Sequence, residues 1–243
     1  MTAADRAGQI ICAVDTSDAD EASMLAGALA GRVGALKLGL EFFSANGPDG
    51  VRQVAAGSLP IFLDLKLYDI PNTVARALHA AAPCDPMMIT LHASGGAAMM
   101  RAAAAAAMRI ADGADGRCPL LLAVTVLTSF NEDDIATVGM HGPIADQVRR
   151  LAELAQDCGM DGVVASAHEI TMIRQLCGDE FKVVVPGIRP AWSTADDQKR
   201  IVTPADSVRN GADYLVIGRP ITRSDDPAAA AERIAAEMAT ISG

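Results

Sequence analysis

The sequence predicts an α/β fold, a closed (β/α)8 barrel formed by one domain over residues 1–243. Three observations point there. Short apolar runs alternate with helical stretches through the whole chain. The runs are continuous, without the apolar/polar alternation of a half-exposed strand, as expected for parallel strands covered on both faces. The length, 243 residues, suits a single barrel. A doubly wound open sheet is the alternative, but no G-x-G-x-x-G follows the first run.

The elements follow in order. Residues 9–14 (QIICAV) form the first strand, and Asp18 with Glu21 resembles the start of a helix. The second strand is 35–39, with a helix from Glu41 or Ser44, and the third is 61–66. Ile70-Pro71-Asn72-Thr73 then turns into a helix, because proline is tolerated in a first helical turn. The fourth strand, 87–92, leads through Ala93-Ser94-Gly95-Gly96 into an Ala-rich helix that breaks near Gly113; its stretch 101–108 is packing, not chemistry. The fifth strand, 120–126, precedes a helix over 143–158, and the sixth, 162–165, one over 167–176. Strands at 182–186 and 214–217 and a closing helix over 227–240 complete the pattern.

Composition narrows the function. The net charge of −10 argues against nucleic acid or an anionic membrane as partner, so an anionic substrate needs a local basic pocket. Five cysteines without a C-x-x-C pair read as reduced thiols, and with no leader-like or membrane-spanning run the expected location is the cytoplasm. The histidines (His79, His92, His141, His168) are too dispersed for a metal site, and His92 reads as a wall residue. Neither a metal nor a cofactor is expected.

Only four lysines occur, Lys37, Lys66, Lys182 and Lys199, against a background of arginine. Lysine is the cation that can give up a proton. In IFLDLKLYDIPNT (61–73), strand alternation puts Phe62, Asp64 and Lys66 on one face, with Asp69 just beyond. In isolation these charges also fit a surface pair on an edge strand with Asp69 as a helix N-cap. At the C-terminal mouth of a barrel, where chemistry sits, they join Asp15, Lys37, His92, Thr128, Ser166, Gly187, Arg189, Gly218 and Arg219. Lys37 points inward between Ala35 and Gly39, and Asp64 can bridge it to Lys66 in an alternating Lys/Asp array. Gly218 and Arg219 follow the last strand, where this fold commonly binds phosphate. The long connection from Pro186 to Pro204 holds Arg189, Trp192, Gln198 and Lys199 and reads as a lid.

Taken together, AVDTSD (13–18), LKLGLEFF (36–43), FLDLKLYDIPNTV (62–74), LHASGG (91–96), VTVLTS (124–129), VPGIRP (185–190), DDQKRIVTP (196–204) and GADYLVIGRPIT (211–222) closely resemble the orotidine 5'-phosphate decarboxylase family. The resemblance implies cofactor-free decarboxylation of orotidine 5'-phosphate to UMP. It makes Lys66 the proton donor and places Asp64 beside the substrate carboxylate. Asp15 and Lys37 would hold the ribose, Thr128 the pyrimidine edge, and Arg189, Gly218 and Arg219 the phosphate, with Gln198 closing a lid. It also implies a homodimer in which Asp69 completes the partner's array, with Ile70 and Thr73 nearby. Tyr68 stands where the family pattern has histidine, and Ala191-Trp192 depart from its lid residues. Two other readings remain: a Mg2+-dependent phosphosugar decarboxylase or aldolase sharing D-x-K-x-x-D, and a non-catalytic nucleotide-binding protein.

Overall fold

The computed structural model describes residues 1–57, 59–113, 118–193 and 202–240. Eight parallel strands close into a barrel in sequence order: β1 (Ile10–Val14), β2 (Ala35–Gly39), β3 (Ile61–Leu67), β4 (Met88–His92), β5 (Leu120–Val124), β6 (Gly162–Val164), β7 (Lys182–Pro186) and β8 (Tyr214–Ile217). β8 pairs back onto β1, with Ile11 opposite Val216, so the sheet has no edge. Closure removes the edge-strand reading of Asp64 and Lys66.

The helices are α1 (Ala3–Ala7), α2 (Ala19–Leu29), α3 (Leu40–Ala55), α4 (Pro71–Ala81), α5 (Gly96–Gly113), α6 (Glu132–Thr137), α7 (Ile144–Asp157), α8 (Ile170–Cys177), α9 (Pro204–Arg209), α10 (Arg219–Thr222) and α11 (Pro227–Ala239). Asp18 caps α2 as expected, its carboxylate accepting from the Asp20 and Glu21 N–H groups. Pro71 opens α4 as expected, but the N-cap is Ile70 and not Asp69. The short helices α1, α6 and α9 have no strong apolar period and were not anticipated.

Two apolar layers result. The larger lies between sheet and helices and includes the alanines Ala103, Ala106 and Ala107 of α5, whose small side chains let that helix approach its neighbours. The smaller fills the barrel with Ile11, Ala13, Ala35, Phe62, Met88, Leu122, Val184 and Val216. Gly162 is required where β6 meets β7, because a Cβ there would stand 2.2 Å from the Lys182 carbonyl oxygen.

One strand is irregular. From Leu63 to Leu67 β3 advances four residues while its partner β4 advances only two, from Ile89 to Leu91. The surplus bulges, and Lys66 takes a left-handed backbone with φ of 49°. A residue with a side chain loses about 1–2 kcal/mol in that region. The expected alternation of Phe62, Asp64 and Lys66 therefore stops at Asp64, and the bulge re-aims the lysine.

Candidate active site

The bulge is fastened by a hydroxyl. Thr90, fully buried on β4, accepts the Lys66 backbone N–H at 2.9 Å and donates to Asp64 Oδ1 at 2.9 Å. A single side chain thus holds both the displaced backbone and the carboxylate beside it. The other carboxylate oxygen, Asp64 Oδ2, lies 2.8 Å from Lys66 Nζ and 3.6 Å from Lys37 Nζ. Lys37 Nζ in turn lies 3.5 Å from Asp15 Oδ1.

The result is an alternating row, Asp15, Lys37, Asp64, Lys66, of zero net charge. Its inner members are well sheltered, with side-chain exposure of 12% for Lys37 and 14% for Asp64, and Lys66 at one end is 31% exposed. Burial pushes the Asp64 carboxyl up, but Lys37, Lys66 and the Thr90 hydroxyl outweigh it and hold the group below its ordinary 3.8. Asp64 is therefore ionised at neutral pH, with each oxygen already engaged.

The row faces a cavity of about 160 Å³ whose walls include Lys37, Asp64, Lys66, Val126 and Thr128. It adjoins a second cavity of about 320 Å³ through Lys37, Pro186 and Val216. Asp15, Gly187, Arg189, Gly218 and Arg219 line that second space. Gly187 has a φ of 76°, a turn that suits glycine and sets Arg189 at the rim. α10 is a single turn and Pro220 brings no N–H, so positive charge there comes chiefly from the Arg189 and Arg219 guanidiniums. Neither has an acidic partner among the described residues.

Of the residues expected at the mouth, Asp15, Lys37, Asp64, Lys66, Thr128, Arg189, Gly218 and Arg219 line these two connected spaces. Asp69, Ile70 and Thr73 are exposed beyond the end of β3 and do not join the row, whose fourth member is Asp15. Asp69 Oδ1 accepts the Ile70 N–H at 2.6 Å. Gln198 and Lys199 lie outside the described residues. His92 is half-buried against Tyr68, with ring centroids 5.5 Å apart; burial first, then Lys66, holds its imidazole below the usual 6.5. It does not line either cavity.

Ser166 accepts the His168 N–H as a cap and takes no part in the row. Cys12 is buried, and burial pushes its thiol up to about 12, so it is inert core. Thr90 was missed by sequence reasoning, although a hydroxyl inside the apolar run 87–92 is the signal that could have found it. A larger cavity of about 720 Å³ opens at the opposite end, against Ile61, Met87 and Leu120; its only charged lining side chain among the described residues is Asp85.

Comparisons with known proteins identify the family. The sequence profile described as "Orotidine 5'-phosphate decarboxylase / HUMPS family" matches residues 8–234. A protein of Rhodospirillum rubrum named orotidine 5'-phosphate decarboxylase is 52% identical over 230 residues, 94% of this chain and 93% of that one. One of the same name from Paramagnetospirillum magneticum is 53% identical over 229 residues, covering 94% and 97%. The crystal structure of orotidine 5'-phosphate decarboxylase from Lactobacillus acidophilus superposes with a TM-score of 0.81 at 34% identity, covering 94% of this chain and 98% of that one. With the profile spanning nearly every strand and helix of the barrel and half of all aligned positions shared with such relatives, this chain belongs to the orotidine 5'-phosphate decarboxylase / HUMPS family.

Proposed function

We propose that this chain, acting as one domain over 1–243, decarboxylates orotidine 5'-phosphate to uridine 5'-phosphate and CO2, the last step of de novo UMP synthesis, without metal or organic cofactor. The observation that carries the reading is the Lys66 ammonium, 2.8 Å from Asp64 and facing a small cavity that opens into one lined by Arg189 and Arg219. The substrate's phosphate belongs with the two arginines and Gly218, its ribose with Asp15 and Lys37, and its pyrimidine with Thr128 and Lys66.

In the chemical step the bond from pyrimidine C6 to the carboxylate carbon breaks and CO2 leaves. The electron pair stays on C6, in the ring plane, where the π system cannot delocalise it. Lys66 stabilises the developing anion and then gives C6 one N–H proton; solvent reprotonates the amine. Asp64 keeps the ammonium charged and aimed until then. The required barrier reduction is large, roughly 20 kcal/mol, so electrostatics and binding energy from the remote phosphate both contribute.

Asp69, exposed on the rim, fits a homodimer in which it enters the partner's site, with Ile70 and Thr73 beside it. The acidic surface fits a protein that works in the cytoplasm on a small molecule, away from nucleic acid and membranes, and among the described residues no helix is long and apolar enough to cross a bilayer. Against the Mg2+-dependent alternative stands Asp64, whose two oxygens are taken up by Thr90, Lys66 and Lys37. Against a silent nucleotide binder stands the intact ammonium.

The test is to add orotidine 5'-phosphate in EDTA and follow the loss of orotate absorbance for wild type and Lys66→Ala. Turnover should persist in chelator and fall by about 1,000-fold or more in the variant. Chelator-sensitive turnover would favour the metal-dependent reading, and nucleotide binding without turnover the silent one. Lys66→Ala activity within about tenfold of wild type, the range one modest interaction explains, would remove the role assigned to Lys66.

A further inference from the structure

Beyond the Arg189 and Arg219 cavity lies a third space of about 360 Å³ that the proposed reaction leaves unused. It shares Arg189, Arg219 and Pro220 with the second, and adds Trp192, Arg223 and Ser224. Arg223, at the end of α10, has no acidic partner among the described residues. Nearby Asp226 makes no ion pair with it among the described residues and caps α11, its carboxylate accepting the Ala229 N–H. Three guanidiniums therefore border one pocket in a chain of net charge −10. Such a gathering of like charge draws anions into the pocket.

Trp192 strengthens the case. Arg233 of α11 stacks on its ring at 4.4 Å, which pins the indole as a wall and adds a fourth guanidinium behind it. The indole Nε1–H is shielded from solvent and has no acceptor among the described residues. Trp192 therefore meets the cavity with its ring and not with this donor.

We propose that this space is a second anion subsite, which takes the terminal phosphate of a pyrimidine nucleoside diphosphate whose first phosphate sits between Arg189 and Arg219. The proposal rests on the reading that the second cavity holds a nucleotide phosphate. It makes UDP, one phosphoryl transfer downstream of UMP, a ligand competitive with orotidine 5'-phosphate.

The experiment measures UMP and UDP binding by calorimetry and by the fluorescence of Trp192, the chain's only tryptophan. UDP should bind about tenfold tighter than UMP to wild type, the gain from one added charge-assisted contact. Arg223→Ala should bring the two affinities to within about twofold while UMP affinity stays put, and Arg223→Lys should restore part of the gap. UDP no tighter than UMP, or a preference that survives Arg223→Ala, overturns the subsite and leaves the decarboxylase reading standing. No binding of UMP at all overturns both.

Discussion

Thr90 shows how a neutral side chain sets up a charged one. Its hydroxyl accepts the Lys66 N–H and donates to Asp64, so replacing it with an isostere lacking the hydroxyl strands a buried donor and a buried carboxylate oxygen. Thr90→Val is expected to cost about 1–3 kcal/mol of stability. It should also lower kcat far more than it raises KM, whereas Thr90→Ser keeps the hydroxyl and should recover both; equal loss in the two variants would reduce Thr90 to packing. The charged partners were legible because three charges in six residues are conspicuous next to a strand of apolar residues. The hydroxyl was not, since a lone threonine in MITLH is compatible with ordinary core. Nor could Lys66's backbone be read, because alternation assumes a regular strand and nothing in LDLKLYD announces two surplus residues. Asp69 was read as an N-cap or as completing a partner subunit's array, and the first reading fails because Ile70 is the N-cap of α4.

Among the elements, α8 owes its place to one arginine. Arg174 Nε donates to the Gly211 carbonyl at 2.7 Å and Nη1 to that of Phe181 at 2.6 Å. Nη2 pairs with Asp213, which also accepts the Val183 N–H at 2.7 Å. The cluster ties α8 to β7 and to the entry of β8 at the end of the barrel away from the active site. Breaking such a sheltered pair from one side should cost about 3 kcal/mol, so Arg174→Ala should melt roughly 6–12 °C lower. Unchanged KM for orotidine 5'-phosphate would accompany that loss; a Tm shift under about 2 °C would mean the network stabilises nothing. At this scale the sequence was most informative where length and apolarity coincide, as in the eight strands and in α7 and α11. It was least so for α9, whose six residues are held by the Thr203 cap and by contact with α11. No window of a few residues reports such tertiary support.

For the whole molecule, the open question of assembly becomes one of arithmetic between subunits. If Asp69 serves the neighbouring site, Lys66→Ala and Asp69→Ala are each inactive as homodimers, yet a hybrid dimer contains one site with both groups. Mixing the two variants under exchange conditions should therefore restore activity, up to about a quarter of wild type for random pairing. No recovery on mixing, with exchange verified by a tagged subunit, would confine each site to its own chain. The barrel itself was plain from eight repeats of one unit, but a rim exposing Tyr68 at 62% and Ile70 at 66% says only that apolar surface is available.

The left-handed geometry at position 66 sets two selective pressures against each other. A glycine there would relieve about 1–2 kcal/mol of backbone strain at a cost of roughly 0.5–1 kcal/mol in chain entropy, so Lys66→Gly should unfold at a temperature about 1–4 °C above Lys66→Ala, although neither can supply a proton. Hardiness and turnover thus ask for different residues at the same point in the chain. On the role proposed for Lys66, lineages adapting to heat have to find their extra tolerance elsewhere in the barrel, because the most direct local remedy would remove the proton donor.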